Sequence, residues 1–582
     1  MSVKQFAVIW AAETMALSIR QSKSIKGIKV NGTEIKVSQL ADDTTLFIRD
    51  KQSINNALTC VTHFGKVSGL HLNLKKCEGL KLGRLKKCSH SICGITWKNK
   101  VKTLGIYFGL DKNDIIDSNW KPKLDKFDST LKLWSKRKLT LYGKVTILTT
   151  LALSKLLYNM SVLNTPDWVI KEANKYMYAF LWDGKRDRVR RTVTSNKLCS
   201  GGLNVPNIKA KAQAFELNWI KRIIFESDFD GKWKVLSKFY INKLGCNNLI
   251  FKCTFGRFSD IKQLSKQLPD FYQGLLSAWS SAGGSVCKIK LQHFDVRKQT
   301  IWYNYNIKHK GKMLMIDKYK HWVDSGIFYV NDFLKGQQYI YEKLTNCKNW
   351  MCEYLTVLKA IPQAWKAMLV QSEFKKTYVN TKMHLYTLCN MKGLVNVTLS
   401  EMSTTKDFYE HIMSNSVERC IFEAYWLEKC NITNHIKLWD SVWEFIRKLK
   451  DKKLSAFKYK LINKILPCKQ FLVVWKPDEY DSPICDNCNQ IEDYFHMLCK
   501  CNLIQPYLRL VEDCILRKFK TIVKLDNIRT LIFGYKSRYV TYNEINYAIL
   551  IAYYIIFKNN CLQTLPSIHQ FIYEASLRKI VF

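Results

Sequence analysis

Glu34-Ile35-Lys36-Val37-Ser38-Gln39-Leu40-Ala41-Asp42-Asp43-Thr44-Thr45-Leu46-Phe47-Ile48 is the stretch on which the reading of this chain turns. Ile35, Val37 and Gln39 alternate into Asp42-Asp43, and Leu46-Phe47-Ile48 follow. The pattern predicts strand, turn and strand, with two carboxylates at the tip. Adjacent carboxylates on such a tip can hold divalent metal beside a reacting phosphate. Two aspartates on a solvated turn are the plainer alternative.

Working outward, Ala57, Leu58, Val61, Phe64 and Val67 recur at helical spacing over 55–67, and Ser68-Gly69 closes that helix. Lys100 to Gly109 reads as a short strand carrying Leu104-Gly105-Ile106. From Trp120 onward the pattern turns helical and stays so. The expected fold class is therefore mainly α with a small α/β N-terminal piece.

The chain has 582 residues, of which 47% are apolar, with 24 glycines and 10 prolines. That composition excludes collagen-like and wholly disordered chains, and the length suggests about four domains. Lysine and arginine number 92 against 48 acids, a formal charge of +44. An excess of that size points to a polyanionic partner, RNA or DNA, rather than to small-molecule metabolism. A membrane partner is not expected, because the longest apolar run, Tyr547 to Phe557, falls well short of the ~20 residues a span needs. No secretory signal opens the sequence, so the 20 cysteines are expected as thiols or metal ligands in a cytoplasmic or nuclear protein.

Basic residues concentrate between Trp120 and Lys221. Lys136, Arg137, Lys138 and Lys144 lie on helical segments, and Lys185, Arg186, Arg188, Arg190 and Arg191 form the densest cluster. They are the candidate phosphate contacts, of a kind that binds with little sequence preference and strong salt dependence. Further on, Cys485-x2-Cys488-x7-His496-x4-Cys501 has the spacing of a structural Zn²⁺ site. Cys499 competes as fourth ligand, and buried thiols in a helix are the alternative. A second cluster, Cys88, His90 and Cys93, lacks a fourth partner at sensible spacing.

Taken in order, these motifs resemble the reverse transcriptases of non-LTR (LINE-type) retrotransposons. Gln39-Leu40-Ala41-Asp42-Asp43 resembles their catalytic hairpin, with Leu40 where an aromatic is usual. Gly69-Leu70-His71-Leu72-Asn73, followed by Lys76 and Glu78, is similar to the next palm motif, and Leu104-Gly105-Ile106 to the primer grip. Leu141-Tyr142-Gly143-Lys144-Val145, Phe180-Leu181-Trp182, Gly201-Gly202-Leu203 and Asn218-Trp219-Ile220 resemble thumb signatures. Ile301-Trp302-Tyr303-Asn304, Gly326-Ile327 and Asn331-Asp332 resemble the region beyond the thumb, and Cys485 to Cys501 the terminal Cys/His domain.

The resemblance implies a partial palm over 1–116, a helical thumb over 117–226, a helical post-thumb region over 227–436 and a C-terminal zinc-bearing domain over 437–582. It implies RNA-directed DNA synthesis as the family activity, with Mg²⁺ needed only where polymerisation occurs. The sequence opens inside a palm motif, at Ala11-Ala12-Glu13 and Ile19-Arg20. Only Glu13 and Glu34 precede Asp42 as acids, and neither sits on a strand like the one bearing the family's first metal-binding aspartate. The expectation for this chain alone is nucleic-acid binding without polymerisation. The alternatives are an active polymerase completed by upstream sequence or in trans, and a non-catalytic RNA-binding protein of transposon origin.

Overall fold

The computed structural model describes residues 3–41, 43–87, 94–225, 231, 233–245, 248–253, 265–282, 285–286, 296–304, 306–344, 347–371, 386–389, 396–399, 401–414, 417–432, 436–535, 542–580 and 582. The chain is mainly helical, with short strand pairs and a small α/β piece at its N-terminus. Among the described residues no single helix is both long and apolar enough to cross a membrane.

The hairpin forms where the alternation places it. Strands Val37–Leu40 and Asp43–Leu46 pair antiparallel, with Leu40 opposite Asp43 at the end of the ladder. Ala41 takes a φ of 53°, as a two-residue hairpin turn demands even of a residue with a Cβ. The expected helix runs Lys51–Ser68. Asp50 starts it earlier than periodicity alone suggests by accepting from Ser53 N, and Gly69, at φ 73°, ends it by donating to Gly65 O. Ala16, Ile19, Ile25, Val37 and Ala57 form the small core beneath.

Lys100 to Gly109 is a hairpin and not the single strand that its apolar content suggested. Lys100–Thr103 pairs antiparallel with Ile106–Gly109, and Leu104 and Gly105, at φ 49° and 82°, make the turn. The apolar Leu104 concealed the turn, whose signal is the glycine behind it. Asn119 clamps this hairpin onto the helix Lys112–Ser135: its Oδ1 accepts from Tyr107 N at 2.9 Å and its Nδ2 donates to Tyr107 O at 3.0 Å. Asp111 caps that helix through Asp114 N, so helical structure begins ahead of Trp120.

The chain divides into two compact units, each assembled from separate stretches. The first comprises Met1–Asp125, Leu156–Ile170 and Lys209–Asn415; the second Lys126–Lys155, Lys171–Ile208 and Ser416–Phe582. Each unit thus draws on several of the four segments described above. The first is organised on aromatic burial: Trp279, Trp302, Trp322, Phe251 and Phe408 are fully enclosed. Trp302 Nε1 donates to Ile327 O at 2.7 Å, and Asp332 accepts from the backbone of Phe328 and Tyr329. Residues 301–304, 326–327 and 331–332 are therefore core and turn residues.

In the second unit the glycine pair Gly201-Gly202 makes the decisive close approach. A Cβ on Gly201, whose φ is 78°, would stand 2.9 Å from the Trp443 ring, and one on Gly202 would stand 2.1 Å from Asn196 O. Trp443 lies on the helix Ile436–Lys448 and is anchored through its indole N–H on Glu423. Asn196 donates to Glu418 O and Thr192 to the Glu418 carboxylate, both at 2.6 Å. Tyr142 meets Tyr459 edge-on. Turns near residue 200 and helices beyond residue 416 thereby share one interior.

Candidate nucleic-acid interface and metal centre

At the hairpin tip, Asp43 is exposed, and Asp42 lies outside the described residues. Among the described residues Asp43 joins no group of three metal-ligating side chains. Glu13 pairs with Arg20. Glu34 accepts from Gly27 N at 2.9 Å and pairs with Lys36, and the Gly27 bond leads in holding its carboxyl below the usual range. Both earlier acids are thus engaged locally. Leu104-Gly105-Ile106 sits at its own hairpin turn, where the Tyr158 hydroxyl donates to Leu104 O and Ile106 is buried. The Cys88, His90 and Cys93 cluster lies outside the described residues.

The basic residues separate into three environments. Lys136, Arg137 and Lys138 are exposed in the turn after the helix Lys112–Ser135, with the Arg137 guanidinium 5.2 Å from the Trp134 ring. Lys144 is buried. Its ammonium donates to Asp183 at 2.6 Å and to Leu181 O at 3.2 Å, so it closes the C-terminus of the helix Asp167–Leu181 and does not face solvent. Arg188 shares this inward-facing environment, half-buried 4.6 Å over the Trp475 ring.

The third environment is a cleft of about 270 Å³ in the second unit. Lys171, Lys175, Lys185, Arg186 and Arg191 line it, with Tyr178 at its wall. Arg191 is held in place by Asp187 at 2.6 Å and by the Tyr178 ring at 4.3 Å, while Lys185 and Arg186 are exposed, as is Arg190 beside the cleft. Converging cations with a fixed guanidinium and an aromatic wall suit a phosphate backbone. Lys171 and Lys175 were missed in the sequence. Their signal is the four-residue spacing that puts both on one helix face beside the turn of residues 183–187.

Cys485, Cys488, His496 and Cys501 come together in the same unit, with their donor atoms all within 4.8 Å of one another. Cys501 Sγ lies 3.9 Å from both Cys485 Sγ and Cys488 Sγ, and Cys488 Sγ lies 3.1 Å from His496 Nε2. Zn–S bonds of ~2.3 Å at tetrahedral angles separate sulfurs by about 3.8 Å, so the donor set fits one such ion. A short turn over residues 485–490 carries the first two cysteines: Cys485 N donates to Gln490 O, and Asn489 adopts φ 51°. Asp493 accepts from His496 N, and the π-helical turn His496–Lys500 delivers Cys501 to the cluster. Cys499 belongs elsewhere, buried against Tyr553, where burial pushes its thiol far up.

Burial also raises the Cys501 thiol, to about 12, and the neighbouring cysteines add to the rise. Burial acts on Cys485 as well, but N–H groups of Asn487 and Cys488 and the adjacent thiols outweigh it and hold that thiol below its ordinary value. A cation at the centre removes the conflict by stabilising every thiolate together.

Comparison with known proteins adds one relative. The chain is 26% identical over 301 residues to the Transposon TX1 uncharacterized 149 kDa protein of Xenopus laevis. The similarity is thus to a transposon protein. The match covers 49% of this chain and 22% of the relative, so the chain spans well under two thirds of that protein's length. No family model matches.

Proposed function

We propose that this chain is a nucleic-acid-binding part of a LINE-type reverse transcriptase lineage, held together at its C-terminal end by a structural zinc ion. The observation that carries the reading is the cleft of Lys171, Lys175, Lys185, Arg186 and Arg191 in a chain of net charge +44. The transposon similarity and the ordered palm and thumb motifs support the lineage. RNA and single-stranded DNA are the proposed partners, bound through phosphates with little sequence preference.

For these 582 residues alone we propose binding without primer extension. In-line phosphoryl transfer needs two ions clamped by carboxylates from more than one strand, and the Asp42-Asp43 tip supplies one strand's share. Asp42→Asn with Asp43→Asn should then leave RNA affinity unchanged or slightly raised. Template-dependent synthesis by the pure chain, abolished by that pair, would make it a polymerase.

The binding reading is tested by RNA titrations at several salt concentrations. Replacing Lys171, Lys175, Lys185 and Arg186 by alanine removes four phosphate contacts, at ~0.7 counterions each for a single strand. The slope of log K against log salt should flatten by about 3. An unchanged slope refutes the cleft as the binding surface.

A further inference from the structure

The first unit holds a second ligand cluster, remote in sequence from the Cys/His site. His321 lies on the helix Lys320–Asp324, Glu353 in the first turn of the helix Trp350–Ala360, and Cys347 just ahead of that helix. His321 Nε2 is 2.6 Å from Glu353 Oε2, and Cys347 Sγ is 3.8 Å from the same oxygen. All three donor atoms fall within 4.8 Å of one another. The residues are half-buried, so an ion has a path to them.

An imidazole–carboxylate ion pair accounts for His321 and Glu353 but not for the thiol. At 3.8 Å a thiol gains little from a carboxylate already taking two stronger bonds, one from His321 and one from Trp322 Nε1 at 2.6 Å. The three donors together are a soft sulfur, a borderline nitrogen and a hard oxygen, which is the mixture zinc accepts. The Trp322 indole is fully buried and keeps its bond to Glu353, the kind of outer support that orients a ligating carboxylate.

We propose that His321, Cys347 and Glu353 bind a divalent ion of the zinc class, with the fourth coordination position left to water. Tetrahedral N and O ligands at ~2.0–2.1 Å stand about 3.3 Å apart, so the imidazole and carboxylate must part by ~0.7 Å. Turning the carboxylate to present its second oxygen achieves that and leaves Oε2 on Trp322. Three protein ligands and one exchangeable position distinguish this site from the closed four-ligand site near the C-terminus. The proposal is independent of the transposon reading.

The test is metal content of the full chain purified without chelators from zinc-supplemented culture. Two equivalents are expected. His321→Asn with Cys347→Ser should lose one, and Cys485→Ser with Cys488→Ser should lose the other, so each site succeeds or fails separately. Zinc content unaffected by the first pair overturns the proposal. A measurement on unmutated protein guards against misfolded variants: after chelation, iodoacetamide labelling of each cysteine is followed by mass spectrometry with and without added Zn²⁺. Cys347 should label about tenfold more slowly with zinc, while exposed Cys352 on the neighbouring helix labels as before. Equal Cys347 rates also overturn it.

Discussion

Lys144 separates two accounts of the basic helices, because its sequence context marks it for phosphate while its surroundings give it an internal task. The perturbation is Lys144→Met, which keeps the apolar stem and deletes the charge. The wild-type ammonium donates to Leu181 O at 3.2 Å and to Asp183 at 2.6 Å, with 7% of the Lys144 side chain exposed against 68% for Asp183. A charge-assisted bond to a helix-terminal carbonyl is worth about 1.5–3 kcal/mol. The pair with exposed Asp183 adds at most ~1 kcal/mol, and relief of lysine desolvation returns about 1–2 kcal/mol. The expected net loss is about 2 kcal/mol, read by denaturant unfolding. RNA titrations of the same variant should show an unchanged salt slope, whereas Lys138→Ala should change stability by less than about 0.5 kcal/mol. A Lys144→Met protein of normal stability whose slope drops by ~0.7 would refute the reasoning and return Lys144 to the phosphate surface.

Cys501→Ser should strip the C-terminal metal while Cys499→Ser keeps it, as elemental analysis will show; the opposite result exchanges the ligands. Gly201→Ala places a Cβ against Trp443 at a left-handed φ, and Gly202→Ala places one against the Asn196 backbone. The first should cost about 1–3 kcal/mol and the second more, measured by unfolding of the purified variants. Burial lowers the Lys458 pKa from 10.5 to about 7 in a cavity where it donates to Leu531 O and faces Cys499. Across that window the unfolded chain holds the proton more tightly, so stability should rise with pH. Between pH 7 and 8.5 this contribution should be on the order of 1–2 kcal/mol, set against the opposite slope of the buried thiols, whose unfolded forms begin to ionise in the same range. Lys458→Met should remove this contribution, read as the difference in pH slope between the two proteins, and an equal slope in that variant would contradict the assignment.

What the sequence determined by itself was whatever depends on neighbours along the chain. Alternation placed the hairpin of Val37–Leu40 and Asp43–Leu46, and helical spacing placed Lys51–Ser68, because each pattern reports the local period of a backbone with one buried face. Ligand spacing brought out Cys485, Cys488, His496 and Cys501, since both halves of that site fall within a short stretch of chain. The tertiary structure alone decided which cations face solvent: Lys144 and Lys138 look alike in the sequence, and only the helix end at Leu181 and Asp183 turns one inward. It likewise joined Lys171 and Lys175 to Lys185 and Arg186, and His321 to Cys347 and Glu353. It also put Gly201 against Trp443, a pairing between residues far apart in the chain. Such contacts follow from how helices share an interior, which no local period encodes.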